Sequence, residues 1–262
     1  MSRLEALLVD RGLFESRSRA AAAVLAGDVR IGDDGRRAEK PGQMVAPEVP
    51  LVVAEGPQYV SRGGVKLANG LDAFELDVAG RRALDVGAST GGFTDVLLQR
   101  GAGHVVAVDV AYGELHWRIR NDDRVSVLER TNARSLERSD LPYPPDLIVA
   151  DVSFVSLRKA LGAPLASAAE RFDCLALVKP QFEVGRARVG KGGVVRSADD
   201  RRAALVAVGE WARDSMGVSV LGYASSGLPG PAGNQETFVW LAEAGRAGAV
   251  PDVEAAAREV EP

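Results

Sequence analysis

The chain has 262 residues, 46% of them hydrophobic and 26% charged. That length allows one large or two unequal domains with about 70% of the surface buried, and that balance excludes disordered, collagen-like and disulfide-scaffold classes. Basic residues number 32 against 36 acidic ones, a net charge of −4, which argues against a nucleic-acid partner unless basic residues gather locally. The single cysteine, Cys174, lies in an apolar run with no partner for a disulfide or metal cage, which suits a reducing, cytoplasmic compartment. Met1 to Glu5 lacks the apolar stretch of a signal peptide, and the longest apolar run, Ala20 to Ala26, is too short to cross a bilayer; a soluble protein is expected.

Residues 3 to 27 read as two short helices split by Arg11-Gly12, with Leu4, Leu7, Leu8 and then Ala20, Ala23, Val24 at helical spacing and Ser16 as the second N-cap. Val29 to Ile31 and Gln43 to Val53 read as strands around the turn Gly32-Asp33-Asp34-Gly35, and Gly56-Pro57 reads as a linker. This gives an N-terminal domain over 1–56 and a linker over 57–60. A catalytic domain is expected over 61–246, with an acidic tail, a short helix or frayed end, over 247–262.

From residue 61 onward strands and helices alternate. Helices are predicted at Ser61 to Phe74, Gly91 to Gln99, Leu157 to Glu170 and Asp199 to Asp214. Strands are predicted at Arg82 to Val86, His104 to Val108, Val125 to Leu128, Leu147 to Ala150, Cys174 to Val178, Val218 to Tyr223 and Thr237 to Leu241. Apolar strands in β-α steps imply an α/β, Rossmann-like doubly wound domain with a mostly parallel sheet covered on both faces.

The strongest local signal is Ala83-Leu84-Asp85-Val86 running into Gly87-Ala88-Ser89-Thr90-Gly91-Gly92-Phe93. A glycine-rich turn of this kind lets a ligand approach the backbone and aims helix N-terminal amides at it. Asp109 follows Gly87 by 22 residues at the end of the next strand, where a carboxylate can accept both ribose hydroxyls of an adenosine cofactor. The G-x-G-x-x-G dinucleotide fingerprint is absent, and Asp85 would repel a pyrophosphate but tolerate an amine and a sulfonium. S-adenosylmethionine therefore fits better than a nicotinamide cofactor. Asn132 and Ala133, after the third strand, are candidates for the adenine edge, although Asn132 equally suits a simple turn. Gly185 to Lys191 resembles the start of a phosphate-binding loop, but Gly192 stands where its magnesium-binding Ser or Thr is required. His104 and His116 lack partner ligands, so no metal is expected.

Asp151 and Lys179 each follow an apolar strand, and Glu236 immediately precedes one. Ligands of open α/β sheets lie at the carboxyl ends of the strands, which puts Asp151 and Lys179 at the cofactor crevice, with Lys66 within reach from the helix before the first strand. A bare salt-bridge network is the alternative for such residues.

The stretches Tyr59-Val60-Ser61-Arg62-Gly63-Gly64-Val65-Lys66-Leu67, Asp85 to Thr94, Asp151-Val152-Ser153-Phe154, Val178-Lys179-Pro180-Gln181-Phe182-Glu183 and Gly233-Asn234-Gln235-Glu236 resemble the TlyA family of ribosomal RNA ribose 2′-O-methyltransferases. These proteins, once labelled haemolysins, have a catalytic domain similar to FtsJ/RrmJ-type enzymes. The resemblance implies a Lys-Asp-Lys-Glu tetrad at Lys66, Asp151, Lys179 and Glu236 and a cytidine 2′-hydroxyl in small- or large-subunit rRNA as acceptor. Lys179 is then the expected base, its pKa lowered by Lys66 and partial desolvation. Asp151 would orient its amine and also contact the cofactor, and Lys66 and Glu236 would position the ribose. Phe154 would stack on a displaced base or belong to the core.

The N-terminal unit resembles the RNA-binding module first seen in ribosomal protein S-four, through Ser16 to Ala21 and Gly27 to Gly32. Arg3, Arg17, Arg19, Arg30 and Lys40 are its expected RNA contacts, although eight basic and seven acidic residues through position 46 leave any basic face to be made by folding. Between 179 and 196 five basic residues oppose Glu183 alone. Arg186, Arg188 and Lys191 there, with Arg62 near the crevice, are expected to meet the phosphate backbone from a mobile loop. The expected protein is a cytoplasmic monomer acting on ribosomal subunits. Competing readings are a non-catalytic ribosome assembly factor, a membrane-active haemolysin, disfavoured by the missing spanning segment, and a nicotinamide oxidoreductase, disfavoured by the loop spacing.

Overall fold

A computed structural model describes residues 1–54 and 58–261; the predicted linker residues Gly56-Pro57 lie outside them. The chain divides into two compact units, Met1–Gln58 and Tyr59–Pro262.

The first unit runs β1 (Ser2–Arg3), α1 (Leu4–Asp10), α2 (Arg17–Ala26), β2 (Val29–Ile31), β3 (Arg36–Arg37), β4 (Met44–Val45) and β5 (Leu51–Val53). Ser16 caps α2 by accepting from the Arg19 amide, and Gly27 ends it in the left-handed conformation. Leu4, Leu7, Leu8, Val24, Val29 and Ile31 form its core. The strand predicted over Gln43 to Val53 is two strands. Pro47 and Pro50 supply no amide to a ladder, so β4 pairs with β1 while β5 joins β2 and β3 in a three-stranded sheet.

The second unit runs α3 (Arg62–Ala73), β6 (Arg82–Val86), α4 (Gly92–Gln99), β7 (His104–Val108), α5 (Trp117–Arg120), β8 (Val125–Leu128), β9 (Leu147–Ala150), α6 (Leu157–Ala160), α7 (Gly162–Ala166), β10 (Asp173–Val178), α8 (Pro180–Glu183), α9 (Ala198–Asp214), β11 (Ser219–Ser225), β12 (Thr237–Ala242) and α10 (Val253–Val260). Its seven strands lie in the order β11-β12-β10-β9-β6-β7-β8. From β10 to β8 all neighbours are parallel, while β12 runs antiparallel between β10 and β11. The chain builds β6, β7, β8 outward and then returns to lay β9 on the other side of β6. The crevice between the ends of β6 and β9 is therefore the switch point at which doubly wound sheets bind ligands.

Both faces of the sheet are covered, as uniformly apolar parallel strands require. Leu84, Val106, Ile148 and Ala176 pack against α6, α7, α9 and α10, whereas Ala83, Val105, Leu147 and Leu175 pack against α3, α4 and α5. The single helix predicted over Leu157 to Glu170 is instead α6 and α7, broken at Leu161-Gly162. Pro164 accounts for the break, since its ring collides with the carbonyl four residues back, here that of Ala160. The acidic tail is a folded helix: α10 buries Val253 and Ala257, and Glu261 anchors Arg201 and Arg202 of α9.

Because Ala257 is fully buried, Ala257→Glu places an unpaired carboxylate in the core and lowers the thermal midpoint by several degrees. Ala255→Glu, on the exposed face of the same helix, leaves it within about a degree. Thermal unfolding followed by far-UV circular dichroism checks both.

Candidate active site

The strand register assembles the site. Ala150 of β9 lies level with Val86 of β6 and with Ala176 of β10, so the next residues, Gly87 and Asp151, leave the sheet side by side. Gly87 has φ +86°, and a Cβ there would lie 2.7 Å from the Asp151 carbonyl oxygen; only glycine allows that approach. Because β12 runs antiparallel to β10, its start lies beside the end of β10, with Thr237 opposite Val178. Lys179 and Glu236, separated by 57 positions in the sequence, are thereby placed at one end of the sheet. Lys66 comes from the buried face of α3, next to Leu67.

The four residues form two ion pairs. Lys66 Nζ lies 2.5 Å from Glu236 Oε2, both side chains almost wholly buried. Lys179 Nζ lies 2.5 Å from Asp151 Oδ1 and donates to Ser153 Oγ at 2.9 Å. Each lysine thus has its own carboxylate. Lys66, Asp151 and Lys179 line a cavity of about 340 Å³ together with Arg62, Ser153 and the turn residues Gly87, Ala88, Ser89, Thr90, Gly92 and Phe93. Glu236 does not line it. It is 2% exposed, and its carboxylate is met by Lys66 behind the cavity wall.

A second cavity, about 620 Å³, shares Gly87, Ser89, Asp151 and Ser153 with the first and lies within the usual ~300–1,000 Å³ of small-ligand sites. Asp109, Asn132, Ala133 and Phe154 line it, as do Glu114, Thr131 and Arg134, to which the sequence reading gave no role. Asp109 accepts from the Ser89 and Ala111 amides at 2.7 and 2.8 Å, which leaves about two of its four lone-pair sites for hydroxyl groups. Asn132 caps the following turn by accepting from the Arg134 amide, so its turn role is realised, and it also faces the cavity. The two cavities differ in charge: the smaller has Arg62, Lys66 and Lys179 against Asp151, the larger has Asp109, Glu114 and Asp151 against Arg134.

Asp85 differs from its expected role. It is fully buried beneath the turn, accepts from Thr94 Oγ1 at 2.6 Å and lines neither cavity. Burial, with smaller contributions from the Asp151 and Asp109 charges, pushes its carboxyl up to about 7. Gly91 also lines neither cavity. In the left-handed conformation at φ +92°, it is the N-cap residue before α4. Phe154 is 93% exposed, which excludes the core alternative; it holds φ +63° and its ring lies 5.4 Å from that of Phe182.

Glu183, also without a role in the sequence reading, is buried. Its oxygens accept from Ser156 Oγ at 2.6 Å and from the Leu157 amide at 2.7 Å, tying the segment after β10 to the loop that carries Asp151, Ser153 and Phe154. Burial raises its pKa against the pull of those donors. Arg186, Arg188 and Lys191 are exposed on the 185–196 loop. That loop is pinned rather than free at its far end, because the buried Asn234 amide donates to the Gly193 carbonyl and accepts from the Val195 amide. In the N-terminal unit Arg3, Arg17, Arg19, Arg30 and Lys40 are all exposed; Arg3 and Arg19 pair with Glu5 and Glu15, and Arg30 donates to the Gly35 carbonyl. His104 bonds Tyr143 and Ser126 within the fold. Among the described residues no group of three or more His, Cys, Asp or Glu could hold a metal ion, and no helix is long and apolar enough to cross a membrane.

The switch-point crevice, the glycine turn after β6 and the carboxylate after β7 define a doubly wound domain of the class that binds nucleoside-containing cofactors. Within that class, residues 59–243 match the FtsJ-like methyltransferase family, and the chain belongs to it. It is 51% identical over 242 residues to the 16S/23S rRNA (cytidine-2′-O)-methyltransferase TlyA of Mycobacterium tuberculosis, a match covering 92% of this chain and 89% of that protein. It is 37% identical over 195 residues to hemolysin A of Brachyspira hyodysenteriae, covering 74% and 80%. A solved structure described as a candidate hemolysin from Streptococcus thermophilus superposes with a TM-score of 0.72 at 38% identity, covering 98% of this chain and 94% of that one.

The raised pKa of Asp85 has a measurable consequence. Between about 3.8 and about 7 the folded state keeps a proton that the unfolded chain releases, so this group's contribution to stability falls as pH rises. Asp85→Asn removes that fall, and the unfolding free energy of the variant relative to wild type increases from pH 4 to 7. A constant difference in urea denaturation across that range contradicts it.

Proposed function

We propose that the protein transfers a methyl group from S-adenosylmethionine to the 2′-hydroxyl of a cytidine in ribosomal RNA, within the small subunit, the large subunit or both. The observation that carries this reading is the pair of adjoining cavities of opposite charge that share Asp151. An amine- and sulfonium-bearing cofactor suits the acidic one, and a phosphate-flanked ribose suits the basic one. The names of the relatives agree with this substrate class.

Asp109 would hold the cofactor's ribose hydroxyls, Asn132 and Ala133 would face its adenine, and Gly87 and Ser89 of the turn, which border both cavities, would meet its methionine portion. When bound, S-adenosylmethionine supplies the electrophilic methyl group and retains the electron pair of the broken carbon–sulfur bond on sulfur. Lys179 takes the proton of the 2′-hydroxyl, Asp151 holds the lysine between the two cavities, and Lys66, locked by Glu236, orients the ribose. Phe154, exposed and held in a left-handed conformation that costs a non-glycine residue about 1–3 kcal/mol, offers a stacking face for the target base. Arg62, Arg186, Arg188 and Lys191, together with Arg3, Arg17, Arg19, Arg30 and Lys40 of the N-terminal unit, would grip phosphates, and their contribution weakens as salt rises. The N-terminal unit would serve as an RNA-binding domain, the second unit as the catalytic one. No step in this scheme requires a metal, and a monomer suffices for it.

Tritiated methyl transfer from S-adenosylmethionine to intact ribosomes and to separated subunits tests the reading. Incorporation into rRNA is expected, and Lys179→Ala is expected to lose it by at least about a hundredfold while cofactor affinity, measured by calorimetry, stays within about twofold. Turnover at the wild-type rate by that variant removes Lys179 as the base. Label in protein, or in neither, removes the activity.

A further inference from the structure

We infer that Ser153 is a positioning residue that aims the amine of Lys179. The inference rests on the reading of Lys179 as the base and assigns a role to a side chain that the tetrad omits.

Among the described residues Lys179 Nζ has two polar partners, Asp151 and Ser153, and they act differently. Asp151 Oδ1 is 2.5 Å away, an ion pair whose attraction depends on distance far more than on angle. Asp151 thus supplies charge but little direction. The hydrogen bond that Nζ makes among the described residues goes to Ser153 Oγ, at 2.9 Å. A primary amine turns about its terminal carbon–nitrogen bond, and a charge held by charge alone leaves that turn free. One directional bond fixes it.

The direction matters because a lysine accepts a proton only along its lone pair. When Nζ is neutral, its four tetrahedral directions are the bond to carbon, two N–H bonds and the lone pair. With one N–H held on Ser153 Oγ and the amine confined beside Asp151, the lone pair has few orientations left, and Lys179 and Ser153 both line the basic cavity. The proton leaving the 2′-hydroxyl ends on Nζ, which becomes an ammonium with a third N–H where the lone pair was. It later passes to solvent.

Ser153 is itself held by the backbone on either side. Asp151, two residues before it, donates its amide to the Val86 carbonyl of β6. Phe154, next in the chain, is fixed at φ +63°, and Glu183 clamps Ser156 and the Leu157 amide beyond it. The hydroxyl is thus presented from a loop anchored at both ends, which is what a positioning group requires. Ser153 also lines both cavities.

The test compares Ser153→Ala and Ser153→Thr with wild type in methyl transfer to the ribosomal subunit that accepts label, with cofactor affinity measured by calorimetry. The alanine variant is expected to lower kcat by about tenfold through misorientation while KM for the subunit and cofactor Kd stay within about twofold, and the threonine variant, which keeps the hydroxyl, is expected to recover most of the loss. Wild-type kcat in Ser153→Ala overturns the inference. A loss that appears in KM or Kd, or that threonine leaves unrepaired, also overturns it by making the residue a binding or packing element. Lys179→Ala in the same assay separates the two claims. If that variant is inactive while Ser153→Ala is unimpaired, this inference alone fails; if Lys179→Ala turns over normally, the base assignment fails and carries this inference with it.

Discussion

Asp151 and Gly87 leave adjacent parallel strands so close together that no side chain fits between them, and both cavities are built outward from that contact. The ladder between β6 and β9 brings Val86 level with Ala150, and a Cβ on Gly87 would fall 2.7 Å from the Asp151 carbonyl. One carboxylate therefore borders both a basic and an acidic space. Its charge partner, Lys179, arrives from the next strand along, and Ser153 and Phe154 follow it on the same loop. A shift of the register between β6 and β9 by one residue would turn Asp151 to the other face of the sheet and dismantle the wall.

Charge organises the rest of the site. Burying Lys66 and Glu236 together costs less than burying either alone, since a lone buried charge is penalised by several kcal/mol. The pair gives α3 and the start of β12 a fixed joint behind the basic cavity. Among the described residues Asp85 meets no cation, and burial pushes its carboxyl up to about 7. The net charge of −4 conceals this arrangement, because the acidic and basic residues that matter are segregated over a few ångströms. The same averaging hides the exposed basic side chains of the N-terminal unit, whose total is almost neutral.

The strands of the catalytic unit were legible because their apolar runs are short, uninterrupted and bounded by turn residues, and the tetrad was legible because each member stands at the end of such a run or on a motif of recognisable type. What escaped depended on distant partners. The helix over 157 to 170 breaks at Leu161, just ahead of Gly162 and Pro164, residues visible in the sequence but outweighed there by apolar spacing. The strand over 43 to 53 divides at Pro47 and Pro50 for the same reason. The antiparallel placement of β12 beside β10, which brings Glu236 to the same end of the sheet as Lys179, leaves no local trace. Glu183 sat inside a motif that was recognised, yet its work of tying two loops together appears only when Ser156 and Leu157 are beside it. Asp85 had the right spacing for a ligand contact and lies underneath the turn instead.

In the proposed reaction the methyl group goes to a ribose oxygen, with the side chains of the basic cavity around the 2′-hydroxyl. Digestion of rRNA to nucleosides after reaction with the protein and S-adenosylmethionine, followed by mass spectrometry, tests it most directly. A new 2′-O-methylcytidine is expected, whose fragmentation places the added mass on the sugar. A methyl group on the base, or on a ribose other than cytidine's, would contradict it.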